Sequence, residues 1–126
     1  MSQIRETGRS ILRKVLGEEY FAKRELKENS FNTEFRAITE EYCFGTVWGR
    51  PGIDHRTRSL ILLGMLTALN KGPELRLHVR GAINNGCSVE EIKEVLLQAA
   101  VYCGIPAGVE AFRAAEEVFG ELNLIK

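Results

Sequence analysis

The chain has no apolar run near the roughly 20 residues needed to cross a bilayer. It has no excess of either charge, since 17 Lys and Arg face 17 Asp and Glu. The first absence argues against a membrane protein. The second removes any bulk electrostatic case for nucleic acid or an anionic membrane as partner. Cysteine is scarce and odd in number. Cys43, Cys87 and Cys103 are scattered, with no C-x-x-C spacing, which argues against a disulfide framework, a local redox pair and a zinc half-site. Glycine-rich phosphate loops, H-E-x-x-H and G-x-S-x-G are also missing, so neither a metal nor any other cofactor is expected. The opening Met1-Ser2-Gln3-Ile4-Arg5-Glu6 has no signal-peptide pattern. With three separate cysteines, that points to a reducing cytoplasm.

A length of 126 residues, 44% of them apolar and 27% charged, suits one soluble globular domain spanning residues 1–126. No segment sustains period-two alternation between turn signals, so strands have no support. Helical periodicity is present almost everywhere, and the fold class expected is all-α with six to seven helices. The first spans Ser2 to Leu16, with Gly17 as its stop, and a short one follows over Glu18 to Lys27. Asn29-Ser30 marks a break, and Asn32 or Thr33 can cap a helix that keeps its spacing through Phe35, Ile38, Tyr42 and Gly49. Arg50-Pro51-Gly52 ends it, because the residue before proline is pushed out of the helical region.

Asp54 suits the N-cap of a helix from His55 to about Asn70. Its centre, Leu60-Ile61-Leu62-Leu63-Gly64-Met65-Leu66, is apolar all round and predicts burial on every side, by the domain or by another subunit. Gly72-Pro73 opens the next helix with proline where its missing N–H costs nothing, and Asn85-Gly86 closes it. Here Leu75, Val79, Ala82 and Ile83 form one stripe, with His78 at its shoulder and Glu74 just beyond. Ser88 and Glu91 form a capping box for a helix whose stripe runs from Ile92 to Cys103. Gly104-Ile105-Pro106 breaks the chain before a last helix, Ala107 to Phe119, with Gly120 as its stop. The surplus of apolar faces over available cover predicts a homo-oligomer with helix-on-helix interfaces.

Glu74 and His78 are four apart and lie on one helical face. They could serve as a general acid/base pair, the carboxylate orienting the imidazole. The plainer reading is a surface pair contributing roughly 0.2–0.5 kcal/mol. Arg50, Arg56 and Arg58 flank the Pro51-Gly52 turn, where arginine could hold a carboxylate bidentately. Solvation is the plainer reading, above all for Arg56, while Arg58 adjoins the apolar run and needs an anion. Trp48, the only tryptophan, could wall a pocket or simply fill core. Glu41 is a further candidate. The cysteines read as small buried hydrophobes.

Taken in order, these residues resemble the gamma-carboxymuconolactone decarboxylase family. The matching stretches are Thr7-Gly8 with Arg13 to Gly17, Phe44 to Asp54, Arg56 to Leu60, Glu74-Leu75 through His78-Val79-Arg80, Asn84-Asn85-Gly86, Glu90 to Leu96 and Tyr102 to Pro106. The resemblance implies an all-α fold of the alkylhydroperoxidase D type, commonly a hexamer. It also implies cofactor-free loss of CO2 from a small unsaturated lactone acid. On that pattern His78 and Glu74 are catalytic, and Arg50, Arg58, Trp48, Phe44 and Glu41 bind substrate. Phe44 stands where the family has a tryptophan, keeping an aromatic wall without an indole N–H.

The related peroxidases carry a C-x-x-C ahead of the histidine and an upstream glutamate. Lys71, Glu74 and Ser59 occupy those positions here, so the thiol-peroxidase alternative lacks its thiols. A non-catalytic oligomeric binding protein on the same scaffold is the alternative from another class.

Overall fold

A computed structural model describes all residues 1–126. The chain is entirely helical and divides into two compact units, Met1–Asp54 and His55–Lys126. No helix is long and apolar enough to cross a membrane.

The first unit holds α1 (Gln3–Leu16), α2 (Glu18–Leu26), α3 (Thr33–Ile38) and a π-helix (Thr39–Val47). Ser2 caps α1 by accepting from the Arg5 amide at 3.1 Å. Gly17 at φ 94° lets the chain turn straight from α1 into α2. Leu12, Val15 and Leu16 are buried on α1, and Phe21 is buried on α2 beneath the guanidinium of Arg13 at 4.3 Å.

The continuous helix expected after residue 33 changes character at Thr39. Trp48 N–H donates to the Cys43 carbonyl at 3.0 Å, five residues back, which is the wider π spacing. A close packing against α1 accompanies it. Gly8 lies so near the Glu40 carbonyl that a Cβ there would stand 1.7 Å from the oxygen.

Around that contact lies a charged centre absent from the sequence reading. The Glu40 carboxylate is fully buried and accepts from Arg5 Nε at 2.8 Å, Arg9 at 3.2 Å and Arg24 at 2.6 Å. Burial alone would raise its pKa, but the three guanidiniums outweigh burial and hold it below the usual carboxylate range.

The second unit is a bundle of α4 (His55–Ala68), α5 (Gly72–Asn84), α6 (Val89–Cys103) and α7 (Ile105–Glu121). Its core joins Leu63 and Leu66 of α4, Leu75 and Val79 of α5, Ile92 and Leu96 of α6, and the small face of α7. Each fully buried leucine contributes about 1.5–3 kcal/mol by leaving water. Both halves of the Ser88–Glu91 capping box form, with bonds of 2.9 and 3.0 Å.

Leu63 and Leu66 are buried, while Ile61 and Met65 are 44% and 56% exposed, so the chain by itself does not cover α4 all round. Two expectations are corrected. Gly104 at φ 108° alone separates α6 from α7, and Pro106 sits inside the first turn of α7, where its missing N–H is harmless. Of the cysteines only Cys87 is buried, while Cys43 and Cys103 are exposed on their helices.

Candidate functional site

The expected stripe on α5 is reproduced. Leu75, Val79 and Ala82 are fully buried, His78 is partly covered at the edge of that stripe, and Glu74 one turn earlier is exposed. Lys71 N–H and C=O flank the helix start, and Leu75 N–H donates to the Lys71 carbonyl at 2.8 Å. Pro73 in the first turn leaves no wasted donor. This rigid start fixes Glu74 and His78 on one face.

Their electrostatics differ from the usual picture of a charged histidine. Desolvation by the surrounding protein lowers the His78 pKa from 6.5 to about 4, and the nearby Glu74 carboxylate opposes this more weakly. The imidazole is therefore neutral at pH 7 in the resting protein. A neutral imidazole can donate from one nitrogen and accept at the other.

Arg58 lies in the second turn of α4, partly buried, and α4 packs directly on α5. Its neighbour Ser59 is buried and accepts at 2.9 Å from the side-chain amide of Asn85, at the end of α5. The same unit thus carries Arg58, Glu74 and His78 on two adjacent helices. Arg56, by contrast, pairs with Glu91.

The remaining candidates belong to the first unit. Phe44 and Trp48 are buried and stacked, with ring centroids 5.5 Å apart and planes inclined by 25°. They sit four apart on the π-helix and its end, which is what stacks them. Arg50 is exposed just beyond. Glu41 is exposed too, with the Ser2 hydroxyl 3.5 Å from its carboxylate. Its neighbour Glu40 is the buried acid of this unit, fully engaged by three arginines. Sequence patterning missed Glu40 because its partners lie on two other helices. It missed the Ser59–Asn85 bond because neither residue type is distinctive alone.

No group of three His, Cys, Asp or Glu side chains is close enough together to hold a metal ion.

The family model for the carboxymuconolactone decarboxylase family matches residues 33–117, a span that includes α5, His78 and the start of α4. The chain belongs to the carboxymuconolactone decarboxylase family. Within it, the 4-carboxymuconolactone decarboxylase of Acinetobacter baylyi is 38% identical over 117 residues, covering 93% of this chain and 87% of that protein. A nitrosuccinic acid decarboxylase of Metarhizium robertsii is also 38% identical over 117 residues, covering 93% of this chain and 82% of its own length. An uncharacterized 15.0 kDa protein of Paracoccus denitrificans is 35% identical over 83 residues, with 64% of this chain and 62% of that protein covered.

Proposed function

We propose that this chain is a decarboxylase that removes CO2 from gamma-carboxymuconolactone, or from a closely related small dicarboxylic acid, without a cofactor. The substrates named for the two decarboxylase relatives share a chemical requirement. Each is a diacid whose departing carboxylate can push its electrons into a sink already in the molecule, a conjugated lactone in one and a nitro group in the other. Loss of CO2 leaves a dienolate or a nitronate, and one proton must then be delivered to carbon. The substrate supplies the electron sink. The protein must hold a dianion, favour the developing negative charge and bring the proton.

The observation that carries this reading is the desolvated His78 on a helix packed against the helix bearing Arg58. Arg58 is assigned to a carboxylate, for which its fork of donors is suited. Arg50, Trp48, Phe44 and Glu41 belong to the first unit, and their substrate-binding role rests on the family resemblance alone. His78 is neutral at rest, and a dianion placed beside it favours the imidazolium by direct charge attraction. Substrate binding then draws a proton from solvent onto the imidazole. Once CO2 has left, that proton passes to carbon and the imidazole returns to its neutral state. Glu74 adds a further negative charge that favours the protonated stage.

A homo-oligomer, with a hexamer as the family resemblance implies, is part of the same reading. Ile61, Met65, Val101 and Tyr102 are 44%, 56%, 78% and 84% exposed, and these apolar side chains of α4 and α6 are suited to cover by another copy.

The test is CO2 release and product formation from gamma-carboxymuconolactone and from nitrosuccinate by purified protein whose mass is measured by light scattering. Turnover of either diacid by an oligomer is expected. A folded oligomer inert toward both would sink the proposal, and so would robust peroxide reduction without decarboxylation.

A further inference from the structure

The first turns of α4 are clasped from the end of α5 and the turn that follows it. Asn85 Nδ2 donates to Ser59 Oγ at 2.9 Å and approaches the His55 carbonyl at 3.5 Å. Cys87 Sγ–H donates to the Arg56 carbonyl at 3.4 Å, and the Arg56 guanidinium pairs with Glu91 on α6. Residues 55, 56 and 59 are thus each tied down, and Arg58 rides on the segment between them. Ser59 is 2% exposed, so its bond to Asn85 is shielded from water. Asn85 also follows His78 by seven residues, two helical turns, which brings it back to the same face of α5.

One feature sets Asn85 apart from an ordinary interhelical tie. Its Oδ1 is buried and lacks a hydrogen-bond partner. An orphaned buried acceptor forfeits its hydration without a compensating bond, so an amide at this position calls for a reason beyond packing.

We propose that Asn85 is a positioning residue for catalysis: through Ser59 it fixes the turn of α4 that carries Arg58, and so sets the guanidinium relative to His78. This rests on the reading of Arg58 as a carboxylate-binding group. The physical reason is leverage. Arginine is long, so a small rotation of the turn that carries it displaces the guanidinium by more than it displaces the backbone, and bidentate binding tolerates little displacement. Loss of the tie should weaken hold on the substrate while leaving His78 and the electron sink untouched.

Steady-state kinetics of intact Asn85→Ala, Ser59→Ala, Arg58→Ala and the Arg58→Ala/Asn85→Ala double variant test this, with gamma-carboxymuconolactone as substrate and circular dichroism as the folding check. Asn85→Ala and Ser59→Ala are each expected to raise KM by roughly five- to tenfold, the effect of losing one well-placed hydrogen bond. Their kcat is expected to stay within about twofold of wild type. In the Arg58→Ala background, Asn85→Ala is expected to raise KM no further. Ser59→Ala removes only a hydroxyl and keeps the test decisive should Asn85→Ala fail to fold. An unchanged KM in the folded single variants overturns the proposal, as does an undiminished Asn85 effect when Arg58 is absent. A normal KM in Arg58→Ala removes the carboxylate role of Arg58 and the positioning role with it. Absence of turnover by the wild type is distinguishable from all of these and overturns the decarboxylase reading as well.

Discussion

The low pKa of His78 makes stability depend on pH in a way that can be isolated by one substitution. An unfolded histidine titrates near 6.5, while folding lowers His78 to about 4. The depressed value means that protons bind the unfolded chain more readily between those two limits. Its contribution to stability is fully present above pH 6.5, falls as pH drops through that value, and levels off below about 4. Each pH unit inside the window removes about 1.4 kcal/mol. Between pH 7.5 and pH 4 the loss attributable to this one group comes to about 3 kcal/mol, with about 2 kcal/mol of it gone by pH 5. That is a large fraction of the stability of a domain of this size.

The assay is urea unfolding of wild type and His78→Gln across pH 7.5 to 4 at fixed protein concentration. Other titrating groups act in both proteins and cancel in the difference. The carboxylates of Glu25 and Glu40, held below their usual range by arginines, begin to lose their contribution as pH falls through the ordinary carboxylate range, in both proteins alike. Wild type is expected to lose about 3 kcal/mol more than the variant. Equal pH slopes, or an NMR titration of His78 near 6.5, would refute the desolvation argument.

Glu40→Gln leaves three guanidiniums facing a neutral amide in a buried place, and is expected to cost about 3–5 kcal/mol in urea unfolding; a loss under 1 kcal/mol would mean that the cluster is well hydrated. Gly8→Ala places a methyl group against the Glu40 carbonyl, with backbone on both sides. It is expected to lower the melting temperature by well over the roughly 4–8 °C that 1 kcal/mol represents in a small domain, and a melting temperature equal to wild type would show that α1 and the π-helix separate freely.

Much of the fold was legible because local signals and tertiary packing agree. Gly17, Gly104 and the Ser88–Glu91 box mark real helix boundaries, and the Leu75–Val79–Ala82 stripe is the buried face of α5. The partly covered His78 beside an exposed Glu74 followed from the same wheel. What was not legible comes from contacts between distant residues. The π-helix shows no change in apolar spacing. It coincides with the approach of Gly8 to the Glu40 backbone, and the capture of Glu40 by Arg5, Arg9 and Arg24 involves separations of 35, 31 and 16 residues. The exposure of Ile61 and Met65 was hidden for a related reason. An all-apolar helix announces that cover is needed without saying whether this chain or another copy supplies it. For the site, residue types and spacing proposed His78 and Glu74, but only the enclosure of the imidazole revealed that it rests neutral.

The most direct measurement is proton NMR of gamma-carboxymuconolactone turnover in D2O by wild type and by His78→Ala of verified fold. A proton relayed by His78 requires one deuterium on carbon in the enol-lactone product of the wild type. The rate in the variant is expected to fall by about 10²–10⁴-fold, the usual contribution of a positioned acid. A folded His78→Ala enzyme that forms the same deuterated product at the wild-type rate would contradict the proposed role of His78.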